Sequence, residues 1–389
     1  MQQIILDRKK VAFLDRRHPW VFSGAIDSDT SMIADGELVQ LVDEGGTVKA
    51  VGFFQPGSIA VRILDFSNRS IDQDFWNRKI DEAVVLRKEL GLLTADNSIC
   101  RLVFGEGDGI PGLIVDFYNG VAVIQAHAVG AHLVRMQIVI ALQNALGEQL
   151  KAVYYKSKST LPERSNAEDG YLFGNATVPH IAKENGIQFS VNWVNGQKTG
   201  FFIDQRENRK LLAQFCSGKK VLNTFCYSGG FSLYALQAGA VRVDSLDSSE
   251  KAIQLVDENL RINTFEGEHQ SIVADAVKYI NQLPEEYDVI VLDPPAFAKH
   301  KNKRHQAIKA YTRLNANAIR QIKKGGVIFT FSCSQVVDNF QFEKAVIAAA
   351  IKCERAVKII GRMGQPADHP INAFHPEGNY LKGLILRVE

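Results

Sequence analysis

From about residue 200 onward, short apolar runs alternate with longer amphipathic stretches, and few folds accept that order. The runs 220–225, 241–246, 270–273, 289–292, 327–331, 356–360 and 381–388 have strand length, with candidate helices between most of them. This alternation specifies a doubly wound α/β sheet, because each parallel strand needs a crossover long enough to hold a helix. The stretch 361–380 joins the last two runs without a helical pattern, which predicts an antiparallel pair at the sheet edge.

In such a sheet the carboxyl ends of the strands line the ligand crevice. Three of those ends carry chemistry. Asp293-Pro294-Pro295-Ala296-Phe297 closes one run, and Ser332-Cys333-Ser334 closes the next. The first run ends in Asn223-Thr224-Phe225-Cys226-Tyr227-Ser228-Gly229-Gly230, a glycine loop entering a helix. A loop of that kind presents backbone N–H groups and the positive end of a helix dipole. Asp247 ends the second run, eighteen residues after Gly229, where a nucleotide-binding sheet places an acid for ribose hydroxyls. Asp275 ends the third and is placed to accept from an adenine amino group. Either acid could equally be a helix N-cap. The GxGxxG pattern is absent, which argues against a dinucleotide dehydrogenase.

With 389 residues the chain is long enough for two or three domains. Its net charge of +2 names no partner, but the charge is unevenly distributed. Between positions 299 and 324 there are nine Lys or Arg, two His, and no Asp or Glu. The five cysteines, at 100, 216, 226, 333 and 353, form no CxxC pair, so neither a disulfide framework nor a structural zinc site is expected, and no metal. No signal-peptide pattern and no apolar run of membrane-spanning length is present, and a cytoplasmic, membrane-independent protein is expected.

The N-terminal half divides in two. Residues 1–70 read as short strands with glycine turns, a small β-rich domain, and residues 71–195 as a central α+β domain. Within the latter, 71–93 and 131–146 have helical periodicity, and Asn119-Gly120 predicts a type I′ hairpin between 113–117 and 121–125. Residues 196–389 complete the chain as the α/β domain.

The ordered strand-end residues resemble those of class I S-adenosylmethionine-dependent methyltransferases. Gln197-Lys198-Thr199-Gly200-Phe201-Phe202-Ile203-Asp204-Gln205-Arg206, with the Ser332–Ser334 segment, is similar to the ribosomal RNA large subunit methyltransferase I family, which makes 5-methylcytosine in 23S rRNA. Arg16-Arg17-His18-Pro19-Trp20-Val21-Phe22 resembles the opening of that family's PUA domain, and the segment 104–113 its central domain. The resemblance spans the whole chain. It implies a Rossmann-like methyltransferase sheet preceded by PUA-like and α+β domains, with S-adenosyl-L-methionine as cofactor. It implies cofactor contacts from Phe202, Gln205, Arg206, Phe225, Tyr227, Ser228, Gly229, Asp247, Ser248, Asp275, Ala276 and Asp293.

Cytosine C5 is a poor nucleophile until a thiolate adds to C6, and Cys333 is the expected thiolate. Asp293 is expected to face cytosine N3 and the exocyclic amine. Other RNA 5-methylcytosine enzymes carry a second cysteine in the Asp-Pro-Pro-like motif. Pro294-Pro295-Ala296 stands there in this chain, so Cys333 acts without it. Cys226 is read as packing. The expected partner is 23S rRNA or a large-subunit precursor, met by Arg16, Arg17, Phe297, Lys299, Lys301, Lys303, Arg304 and Lys309, with Arg8, Lys9 and Lys10 extending the N-terminal basic cluster. A homodimer is compatible with the sequence. Two rival functions stay open: a guanine-N2 methyltransferase, which needs no thiolate, and an RNA-binding protein that keeps the fold without turnover.

Overall fold

The computed structural model describes residues 1–7, 11–283, 286–298 and 300–389. Arg8, Lys9, Lys10 and Lys299 therefore lie outside the described residues. The chain forms two compact units, one of Met1–Gly186, Val191–Ile203 and Ala367–Gly378, the other of Ile187–Ser190, Asp204–Pro366 and Asn379–Glu389. Among the described residues no helix is long and apolar enough to cross a membrane.

The first unit holds two five-stranded sheets. One runs in the order Gln2–Ile5, Leu38–Val42, Val48–Phe54, Ile59–Asp65, Trp20–Phe22 around a core including Val21, Val39, Leu41 and Val61. The other runs Gly170–Phe173, Ala152–Tyr155, Val121–Ala126, Leu113–Tyr118, Ile99–Phe104. The stretches expected at 1–70 and 71–195 thus supply separate sheets within one compact unit. The Asn119-Gly120 hairpin forms with φ of 44° and 97°, as a type I′ turn requires. The helix expected at 71–93 runs Gln73–Glu89, started by the Asp72 carboxylate accepting from the Phe75 N–H. The helical pattern at 131–146 breaks into Val129–Leu133 and Arg135–Leu146.

The second unit is a seven-stranded sheet. Its strands are β1 (Lys220–Thr224), β2 (Arg242–Asp247), β3 (Glu268–Val273), β4 (Val289–Leu292), β5 (Gly326–Ser332), β6 (Val357–Gly364) and β7 (Lys382–Val388), in spatial order β3-β2-β1-β4-β5-β7-β6. The first five are parallel; β7 is antiparallel to both β5 and β6. The expected antiparallel pair is present, with the last strand inserted inside the edge. Its helices are α1 (Arg206–Ala213), α2 (Gly230–Gln237), α3 (Glu250–Arg261), α4 (Ala276–Asn281), α5 (Arg304–Gln321) and α6 (Asn339–Cys353).

Strand periodicity sorts the core. Ile290, Leu292 and Ile328 face one layer with Ala307, Tyr311 and Phe342. Val289, Val291, Val327 and Phe329 face the other with Leu212, Phe231 and Ala235. Both faces are covered, which explains why β4 and β5 read as unbroken apolar runs. Strand order reverses between β1 and β4, and the crevice of such a sheet opens there.

Candidate active site

The loop after β1 is strained. Phe225 and Tyr227 hold φ of 57° and 46°, unusual for side chains of that bulk, and Gly229 follows at 76°. Conformations of this kind cost of order 1–3 kcal/mol each and persist where surrounding bonds over-determine them. Those bonds are present. The Cys226 N–H donates to the Leu246 carbonyl (3.1 Å), the Tyr227 N–H to Asp247 Oδ2 (3.1 Å) and the Gly229 N–H to the Cys226 carbonyl (2.8 Å). Asn259 Nδ2 donates to the Ser228 carbonyl from below (2.8 Å). At Gly229 the left-handed backbone is what favours glycine. At Gly230 a Cβ would press on Arg209, whose Cδ lies 3.0 Å from that point. Arg209 is 3% exposed, so a guanidinium stem lies directly beneath the loop.

These features fit an amino-acid nucleoside ligand. No side chain caps α2, so its first-turn N–H groups remain available to an anionic group. Asp247 is half-buried at the end of β2. Its oxygens accept from the Tyr227 and Ser249 N–H groups, which leaves lone pairs on each for hydroxyl donors. Ser248 beside it is exposed and Ala276 is buried. Asp275 caps α4 through Oδ1, which accepts from the Lys278 N–H (2.8 Å). Cys226 packs with Ile253 and Val256 in a small apolar cluster, and burial holds its thiol well above the usual range.

One edge of the crevice is built by β4 and β5, whose register pairs Leu292 with Thr330. Asp293 and Cys333 therefore emerge from neighbouring strand ends, both half-buried. Tyr311 of α5 lies beneath them. It accepts a hydrogen bond from Ser332 Oγ (2.9 Å), and its ring is 4.7 Å from that of Phe297. Burial pushes its hydroxyl up to about 12, with the charges of Cys333 and Asp293 adding to the effect. Asp293 is oriented by a chain of amides. Gln205 Nε2 donates to Asp293 Oδ2 (3.0 Å), and Asn208 Nδ2 donates to Gln205 Oε1 (2.6 Å) and to the Gly364 carbonyl (3.1 Å). Gln205 and Arg206 are both almost fully buried at the start of α1.

Phe202 belongs to the first compact unit, half-buried with Lys198 Nζ 4.5 Å from its ring centre. Arg16 and Arg17 are exposed in that unit, and Lys301, Lys303, Arg304 and Lys309 are exposed at the start of α5. Sequence reasoning missed Asn208, Arg209 and Tyr311. The first two had a signal, since they follow Gln205 and Arg206 by one helical turn. Tyr311 had none.

A PUA-like domain model matches residues 4–66, and an S-adenosylmethionine-dependent methyltransferase model matches residues 160–379. The ribosomal RNA large subunit methyltransferase I of Shewanella denitrificans is 40% identical over 385 residues, covering 96% of both chains. The protein of the same name from Alteromonas mediterranea is 36% identical over 394 residues, covering 99% of this chain and 98% of its own. The chain belongs to the ribosomal RNA large subunit methyltransferase I family. Its cofactor is S-adenosylmethionine. A solved chain complexed with SAH superimposes over the full length of both molecules at a TM-score of 0.85 and 22% identity, which shows a shared fold. The fold expected for the α/β and PUA-like parts is therefore the fold observed.

Proposed function

We propose that this family member methylates cytosine C5 in large-subunit ribosomal RNA, with Cys333 as nucleophile. The reading rests most on one juxtaposition: Cys333 and Asp293 at adjacent strand ends, both acting on the buried Tyr311. The relatives named as large-subunit rRNA methyltransferases supply the substrate class. When bound, S-adenosylmethionine supplies an electrophilic methyl group; Tyr227, Ser228, Gly229, Asp247, Asp275 and Asp293 would hold it, with Gln205, Arg206 and Phe225 beside them in the second unit.

The Cys333 thiolate adds to C6, forming a C–S bond and moving the ring electrons to C5, N3 and O2. Asp293, held by Gln205, hydrogen-bonds N3 and the exocyclic amine as that charge develops. C5 takes the methyl group, its proton passes to solvent, and the C5–H electrons re-form the C5=C6 bond as the C–S bond breaks to return the thiolate. Exocyclic N2 methylation of guanine uses no such thiolate.

The residue division 1–70, 71–195 and 196–389 is kept in this reading, with RNA docking assigned to the first segment and the chemistry to the last. Lys301, Lys303, Arg304 and Lys309 contact phosphate beside the pocket, and Phe297 forms its wall. The start of α5 has no acid in its first turn and no side-chain cap, and it carries cations where the helix dipole disfavours them. Charge placed against the dipole serves a partner better than it serves the helix. Replacing these four with alanine is expected to weaken RNA binding and to flatten the slope of log K against log salt by roughly 3, at about 0.7 per phosphate contact. Fluorescence anisotropy across a salt series checks this.

The test of the reaction is nucleoside mass spectrometry of unmodified 23S rRNA, as naked RNA and as precursor particle, after incubation with the protein and S-adenosylmethionine. New 5-methylcytidine supports the reading, and N2-methylguanosine in its place overturns it.

A further inference from the structure

Lys382 is the first residue of β7, and its backbone pairs with Ser332 on one side and Gly364 on the other. It therefore sits inside the sheet, immediately beside the strand end that carries Cys333. The side chain is 6% exposed. Its ammonium donates to the Ser334 carbonyl and to the Tyr380 carbonyl, each at 2.8 Å. Among the described residues no carboxylate forms an ion pair with it.

A buried ammonium without a carboxylate partner is costly, and a chain needing only packing at this position would use leucine or methionine. The two carbonyl bonds satisfy two of its three protons. The bond to Ser334 ties the nucleophile's strand end to the start of β7, because Ser334 follows Cys333 directly, while the bond to Tyr380 stays within Lys382's own segment. The charges that act on Lys382 are those of Cys333 and Asp338, both favouring its protonated form against the burial that lowers it to about 8. Tyr311 also interacts with Cys333 and brings no positive charge. Lys382 is a cation built into this corner of the crevice.

We propose that Lys382 is a positioning residue that supplies the counter-charge for the Cys333 thiolate while its bond to the Ser334 carbonyl holds the Ser332–Ser334 turn in place. The proposal deepens the reading of Cys333 as nucleophile. It also tells how the thiolate is favoured without the second cysteine seen in other RNA 5-methylcytosine enzymes: the low-dielectric site pairs it with a fixed ammonium.

The full-length protein without RNA is treated with iodoacetamide from pH 6 to 9.5, and alkylation of the Cys333 peptide is followed by mass spectrometry. The variants are Lys382→Met, which removes charge and hydrogen bonds, and Lys382→Gln, which keeps amide donation to the carbonyls without charge. S-adenosylmethionine binding by calorimetry confirms that each is folded. In both, the midpoint of Cys333 alkylation is expected to rise by about one pH unit, with a roughly 10-fold slower rate at pH 7. Lys382→Arg keeps the charge and is expected to stay nearer to the unsubstituted profile. A profile unchanged in both Met and Gln variants overturns the proposal. So does loss in Met that Gln fully restores, which would make Lys382 a strut alone. Because alkylation needs no RNA, this result is separable from the reaction. A Cys333→Ala variant that still made 5-methylcytidine would sink the nucleophile reading without altering the alkylation profile.

Discussion

Cys333→Ala is expected to lower 5-methylcytidine formation at least ~1,000-fold, equivalent to about 4 kcal/mol of transition-state stabilisation. The size follows from the chemistry. Without addition at C6, C5 keeps its aromatic electrons and has little nucleophilicity towards a methyl sulfonium. Asp293 can polarise the ring but cannot replace the C–S bond. S-adenosylmethionine affinity should stay within about twofold, since the β1 loop, Asp247 and α2 do not contain Cys333. A second readout uses RNA carrying 5-fluorocytidine. Fluorine cannot leave C5 as a proton does, so the adduct stalls after methyl transfer and a covalent protein–RNA complex accumulates. That complex should form with the unsubstituted protein and vanish in Cys333→Ala. Persistence of 5-methylcytidine in the variant would refute the covalent mechanism.

Arg87→Met is expected to cost the first compact unit about 3–5 kcal/mol, with the melting temperature falling by about 10 °C. Arg87 is fully buried, yet its guanidinium is completely engaged. Nη1 and Nη2 form a bidentate pair with Asp108 at 2.6 and 2.8 Å. Nε donates to the Arg101 carbonyl at 2.8 Å, and Nη2 also donates to the Asp368 carbonyl at 2.8 Å. Asp108 in turn accepts from the Phe104 N–H, and Asp368 Oδ2 accepts from the Arg101 N–H (2.9 Å). Removing the guanidinium leaves the Asp108 carboxylate, 5% exposed, without its bidentate cationic partner. The double variant Arg87→Met/Asp108→Asn should lose less than the sum of the single substitutions, because it leaves no orphaned charge. Denaturant titration of the three variants decides this; additive losses would mean that the pair is not coupled.

The two cases differ in how far the chain itself announced them. The strand-end positions of Cys333 and Asp293 were legible because each sits where an apolar run stops, and in a parallel sheet that position is the crevice. The strand-end positions of the glycine loop and Asp247 were legible for the same reason. Strand periodicity is local, so the seven runs and the antiparallel last pair could be read within a few residues of their ends. The insertion of β7 between β5 and β6 could not, since strand order depends on which faces are buried. That insertion is what brings Lys382 beside Cys333. Tyr311 likewise lies one helix away from both residues it serves, with nothing in the pattern of α5 to mark it.

The basic run from 299 to 324 and the ordered acids were matters of composition and spacing, and the sequence by itself determined them, together with the fold class and the cofactor. Tertiary structure alone decided the supporting contacts. Gln205 reaches Asp293 across 88 residues, Lys382 reaches Ser334 across 48, and Arg87 reaches Asp368 across 281. A hydrogen bond selects groups within about 3 Å of each other, whatever their separation along the chain. Periodicity carries no information about such pairs until packing has brought the elements together.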